Sequence, residues 1–222
     1  MSSRFTPVLL LALGCGSGDS DTAESQVPLV ESSGCDSVPL YDRSADPAQR
    51  GPWPVGVQTV KLGRLDVEVL YPATPGSEEG LEPLEVDIRY ALPESEREKV
   101  TDEVRPHQSC DCYSELPLDE AHGPYPLILF VHGTASWRTQ SLSLMEHWAS
   151  RGFVVASADH PGLMLSDILG GVCGLPSSGN QSLLGDLETV LSGFTDGDEA
   201  LHFVADRVDL QPNKALGRFR VN

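Results

Sequence analysis

Cations are scarce in this sequence. Fifteen Lys and Arg stand against 33 Asp and Glu over 222 residues, a formal net charge of −18. That balance repels phosphate and argues against nucleic acid or an anionic membrane surface as a partner; otherwise it serves solubility. Most of the excess lies in residues 19–31 and 77–120. No apolar run is long enough to cross a bilayer, and there is no internal repeat and no nucleotide-binding glycine loop. His107, Cys110 and Cys112 lack a fourth ligand at ordinary zinc spacing, so neither a metal nor another cofactor is expected. No serine has glycine at both −2 and +2. Ser177 comes near, with Gly179 after it but Leu175 before it. The sharp strand-to-helix turn that presents a nucleophilic serine is therefore missing.

What is present begins with a leader. Arg4 precedes a largely apolar Phe5–Leu13 and then Gly14-Cys15, the pattern of an export signal. Leu11-Ala12-Leu13-Gly14-Cys15 resembles a bacterial lipobox. This implies lipidation at Cys15 and attachment to the cell envelope through that lipid alone; an ordinary secretory signal is the alternative. Residues 1–15 are read as the signal and 16–50 as a flexible linker rich in small polar residues. The ordered domain is read as 51–222. Export makes disulfides plausible among Cys35, Cys110, Cys112 and Cys173, with the pairing open. A bridge from Cys173 to Cys110 or Cys112 would tie a loop to the sheet.

Val55, Val57 and Thr59, then Leu65, Val67, Val69 and Tyr71, alternate with other residues around Gly63-Arg64. They predict a half-buried antiparallel hairpin. Residues 76–123 are charged, with a short strand or turn over 86–92 and a short exposed helix over 94–104. Leu127–Val131 is a continuous apolar run, as in a parallel strand buried on both faces. A helix is expected over 139–151, with Leu142, Met145, Trp148 and Ala149 on one face and Gly152 as its stop. A second buried strand follows over 153–158. Residues 170–179 read as loop, and 181–191 as a helix whose Leu183, Leu184, Leu187, Val190 and Leu191 form a wide apolar stripe.

The strand 127–131 ends in His132-Gly133-Thr134, at the carboxyl end where open α/β sheets place their chemistry. The first peptide N–H groups after such a strand can donate to the oxyanion formed when an ester carbonyl is attacked. Thr134 is the candidate donor, through its backbone. His132 reads as a structural turn residue rather than a base. Asp159 and His160 are adjacent, so their side chains point apart and a turn is favoured. Trp137 and Trp148 read as packing residues.

Together, GPWPVGVQTVKLGRLDVEVLYPA, YPLILFVHGTASWRTQ and HWASRGFVVASADHPG resemble secreted esterases of the platelet-activating-factor acetylhydrolase type, with dienelactone hydrolases and cutinase-like hydrolases as near relatives. The resemblance covers about residues 51–209. It implies the N-terminal portion of an α/β-hydrolase fold: an antiparallel hairpin leading into a mostly parallel sheet flanked by helices. It also implies a Ser-His-Asp ester hydrolase acting on a small ester or lipid without a metal. By position, Thr134 matches the backbone oxyanion donor, and Asp159-His160-Pro161-Gly162 matches a turn with no chemical step. In that family a stretch like 206–210 leads into the fifth strand and the serine elbow, but here it runs into QPNKALGRFRVN. The expectation is a chain truncated or frame-shifted before that strand. It would be inactive alone, with the 127–131 strand left with one bare edge. The alternative is a non-catalytic exported lipoprotein that uses half of the scaffold as a binding module.

Overall fold

The computed structural model describes residue 46, residues 48–175 and residues 182–210. Cys15, Cys35, the leader, nearly all of the linker, Ser177 and Gly179 lie outside the described residues.

The alternating valines form the predicted hairpin. Val55–Leu62 (β1) pairs antiparallel with Leu65–Pro72 (β2) in continuous register from Val55↔Pro72 to Leu62↔Leu65. Gly63, at φ +56°, supplies the turn. The expected half-burial holds for β1 but not for β2, nearly every residue of which is buried. The reason is position. On its other edge β2 pairs antiparallel with Val154–Ala158 (β7), so it is an interior strand with both faces covered.

Between the hairpin and β7 lie Glu85–Asp87 (β3), a 3-10 turn over Ile88–Ala91, Glu94–Arg97 (α1), His107–Ser109 (β4), Tyr113–Ser114 (β5) and Tyr125–Phe130 (β6). The helix expected over 94–104 is one turn only. β3 and β4 make a separate two-stranded ribbon. Leu142–Ser150 (α2) follows β6, and Gly152 ends it at φ +91°, a conformation that glycine adopts without penalty. Beyond β7 come Leu165–Val172 (α3), Leu183–Asp196 (α4) and Val208–Asp209 (β8). α3 runs into residues 170–172, the start of the stretch read as loop. Asp167, in its first turn, accepts from the Gly162 and Met164 N–H groups and so caps its start, and two adjacent glycines follow inside the helix. Leu165, Leu169 and Val172 recur at helical spacing, a signal that Gly170-Gly171 obscured.

The six-stranded sheet runs β5-β1-β2-β7-β6-β8, with parallel pairing of β1 to β5, of β7 to β6 and of β6 to β8. This is the mixed α/β sheet expected, with β6 between β7 and β8. Its two faces carry separate cores. Val67, Val69, Tyr71, Val154 and Ala156 pack with Val190 and Phe194 of α4, while Val55, Val57, Leu70 and Val155 pack with Leu142, Met145 and Ala149 of α2. The period of two along β2 and β7 sorts these side chains. Of the stripe expected on α4, Val190 is buried, but Leu184 and Leu191 face outward. Its inner face uses Asp186, Gly193 and Phe194 instead.

β6 departs from expectation. Its residues after Tyr125 are half-buried rather than buried on both faces. β8 covers only its start, through Tyr125↔Val208 and Pro126↔Asp209. The edge is therefore not bare throughout, as the sequence suggested. Among the described residues, Leu127–Phe130 pairs on one side only. Arg207 holds β8 in place by donating to the carbonyls of Glu120 and His122.

Cys110 and Cys112 are joined in a disulfide, and Cys173 is an exposed free thiol, so the bridge from Cys173 to that pair is not made. Cys110 and Cys112 lie inside the α2-side core, whereas Cys173 closes α3 on the surface. Among the described residues no helix is long and apolar enough to cross a membrane, and no cluster of three His, Cys, Asp or Glu side chains is set to hold a metal ion.

Candidate functional site

The chain leaves the carboxyl end of β6 through His132, Gly133 and Thr134, then turns sharply. Ala135 has φ +58°, a left-handed conformation that costs a non-glycine residue energy and that tertiary contacts must maintain. Those contacts come from the segment after β7. The Ala135 N–H donates to the Leu163 carbonyl at 2.8 Å and the Leu165 N–H to the Ser136 carbonyl at 2.9 Å. Ser136 and Met164 form a parallel bridge. The Gly133 N–H reaches the Gln140 side chain at 3.4 Å. Thr134 sits exposed between these anchored residues, and its N–H has no hydrogen-bond partner among the described residues.

Two histidines lie beneath this turn, and both are buried. His132 Nδ1 is 2.8 Å from the Gly133 carbonyl, and its Nε2 is 3.2 Å from the backbone N–H of His160. A carbonyl only accepts and an N–H only donates, so the proton of the neutral ring resides on Nδ1. His160 Nδ1 stands 3.2 Å from Asp186 Oδ2, and Asp186 is also bound by Arg64 at 2.7 Å. Burial holds the His160 pKa below its ordinary value; the nearby His132 pushes the same way, and Asp186 and Asp159 only partly offset them. His160 Nε2 is buried without a hydrogen-bond partner among the described residues. The two rings are 5.0 Å apart.

Asp159 belongs to a different cluster from its neighbour His160. Its carboxylate accepts from the Arg138 N–H at 2.8 Å and from the Arg138 guanidinium at 2.6 Å. Arg138 also meets Glu68 at 3.0 Å and lies 4.2 Å over the ring of Tyr90. Burial opposes the Arg138 charge, but Tyr90, Asp159 and Glu68 outweigh it and hold the pKa above the ordinary value. The adjacent side chains thus point into separate networks, as expected of a turn. Neither is placed as an acid–base partner of the other.

The acidic ribbon docks onto this loop. Tyr90 and Gln108 both bond Thr139, at 3.0 and 2.9 Å. The Trp137 indole N–H reaches Gln108 at 3.4 Å. Trp148 packs against Phe130, 6.2 Å between rings. Burial drives the Tyr90 hydroxyl pKa up to about 12, so it remains a neutral hydroxyl. Sequence reasoning missed Arg138, Tyr90, Gln108 and Asp186. Each owes its role to a partner tens of residues away, and no local pattern encodes that. No serine of the chain stands in a Gly-x-Ser-x-Gly turn. His107, Cys110 and Cys112 do not converge as ligands, because the two cysteines are bonded to each other.

Residues 93–162 match the family model of platelet-activating factor acetylhydrolase, isoform II. The match includes β6, the turn at Thr134, α2, β7 and the Asp159–Gly162 turn, a narrower stretch than the one the sequence suggested. The similarity to that family model is therefore carried by the strands and loops that build the site. A ferulic acid esterase from Streptomyces cinnamoneus, solved at 2.4 Å, is similar at 24% identity with a TM-score of 0.32. The alignment covers 54% of this chain and 36% of that one, so this chain spans about a third of the length of the solved structure it matches. No curated protein sequence matches it.

Proposed function

We propose that this chain carries the oxyanion side of a carboxylic-ester hydrolase site of the acetylhydrolase type. In this reading the backbone N–H of Thr134 receives the carbonyl oxygen of a small ester or lipid as negative charge develops on it. One observation carries the reading. Thr134 is exposed at the carboxyl end of β6, and its N–H has no partner among the described residues, between residues whose own backbone groups are bonded. The family match over residues 93–162 supports the reaction class.

The finer part of the proposal concerns turnover. No serine of this sequence sits in a nucleophile elbow. The chain by itself therefore hydrolyses no ester. Loss of the nucleophile alone costs roughly a million-fold in turnover in subtilisin. Attachment to the envelope through a lipid on Cys15 belongs to the same proposal, and labelling by a palmitate analogue is expected to vanish in Cys15→Ala.

Two measurements on the purified chain test the reading. p-Nitrophenyl acetate is expected to give no hydrolysis that a serine-directed phosphonate blocks; blockable turnover would overturn the inactivity. Titration of the ¹⁵N-labelled chain with methylphosphonate, a tetrahedral oxyanion, is expected to move the Thr134 amide resonance. A Thr134 signal that stays still while others move rejects it as the donor.

A further inference from the structure

The Thr134 N–H and the Gly133 carbonyl are two ends of one peptide group. A trans peptide is planar, so they point in opposite directions. The Nδ1–H of His132 holds that carbonyl at 2.8 Å. Rotating the peptide to turn the Thr134 N–H inward would break this bond. His132 in turn keeps its proton on Nδ1 only while Nε2 accepts the backbone N–H of His160, at 3.2 Å.

The place of His160 is fixed by its ring, which is buried, donates through Nδ1 to Asp186 at 3.2 Å, and packs 5.0 Å from His132. Asp186, near the start of α4, is held by Arg64 of the hairpin turn at 2.7 Å. A ring whose other nitrogen is buried without a partner among the described residues is an unusual choice for packing alone, since polar atoms at that depth are nearly always satisfied. An apolar side chain would fill the space without that cost.

We propose that His160 and Asp186, braced by Arg64, are positioning residues that align the Thr134 N–H by way of His132. Alignment of the oxyanion donor is then set from the opposite side of the sheet's end, by α4 and the β1–β2 turn, and not only by the loop that contains it. The proposal rests on Thr134 being the donor.

Nitrogen-15 NMR on the full chain tests it without turnover. In the wild type His132 should give one protonated and one bare ring nitrogen, with the proton on Nδ1. In Asp186→Asn the two signals are expected to move toward a mixture of tautomers, and the Thr134 amide to shift, while far-UV circular dichroism is unchanged. Arg64→Gln, at a half-exposed side chain, should move the same two signals less. Unchanged His132 and Thr134 signals in both variants overturn the proposal. If Asp186→Asn does not fold, Arg64→Gln decides alone. An intact His132 response beside a Thr134 that ignores methylphosphonate would instead reject the donor reading and leave the alignment standing.

Discussion

The indole N–H of Trp53 meets a carboxylate oxygen of Asp119 at 2.6 Å, across 66 positions of sequence. The same carboxylate accepts from the Tyr125 hydroxyl at 2.9 Å, from His122 Nδ1 at 2.7 Å and from the Ala121 N–H at 3.0 Å. Asp119 is almost wholly buried. Burial alone would raise its pKa, but the donors of Trp53, His122 and Tyr125 reverse that and hold it below the ordinary carboxylate range. This knot pins the entry to β1, the loop before β6 and the first residue of β6 at the end of the sheet away from Thr134.

Asp119→Ala should therefore destabilise the fold by roughly 3 kcal/mol, because the buried Trp53 donor and the half-buried His122 donor lose the carboxylate and Tyr125 keeps only the backbone carbonyl of residue 119. Urea unfolding followed by tryptophan fluorescence measures this. A loss under about 1 kcal/mol would mean that those donors find other acceptors easily.

Arg138 is the cation between two buried carboxylates, Glu68 and Asp159. Arg138→Met is expected to cost about 3–5 kcal/mol, since it leaves both charges unneutralised. Arg138→Lys should cost less but not nothing, because an ammonium cannot reproduce the planar fork that spans both partners. Equal stability of the Lys and Met variants in denaturant melts would contradict this account.

His160 gives the stability a pH dependence of definite sign. Its folded pKa is depressed, mainly by burial and further by His132, with Asp186 and Asp159 opposing. Below the ordinary histidine value of about 6.5 the unfolded chain takes up a proton that the folded chain resists. This contribution is fully present above that value and is lost as the solution is acidified through it. The slope is at most about 1.4 kcal/mol per pH unit for one proton. Melting temperatures taken across this window should fall toward acid less steeply in His160→Gln than in the wild type. Parallel profiles would assign the slope to other groups.

Cys173 is exposed, while Cys110 and Cys112 are bonded and buried. Ellman's reagent on the native chain should therefore find one thiol fewer in Cys173→Ser than in the wild type. Cys112→Ser should expose no fast-reacting thiol, since Cys110 sits in the α2-side core. An unchanged thiol count in Cys173→Ser would place that sulfur in a bond.

Much of the fold is legible in the sequence because its signals are local. Val67, Val69 and Tyr71 alternate, Leu142, Met145 and Ala149 recur at helical spacing, and Gly63 and Gly152 stand where turns need positive φ. α3 was hidden because two glycines contradict the helix that its apolar spacing supports. The outward Leu184 and Leu191 were misassigned because spacing identifies a stripe without saying what covers it.

For the site, sequence alone determined the strand–His–Gly–Thr order, and with it which backbone N–H can stand at the end of β6. That much is fixed by chain direction and by the alternation of a buried strand. Only the tertiary structure decided that His132 donates to Gly133, that His160 leans on Asp186, that Arg138 rather than His160 partners Asp159, and that Cys173 stays free. The reason is physical: a hydrogen bond or disulfide needs two groups within a few ångströms. For these residues that proximity is set by strand order and helix packing, which spacing along the chain does not encode.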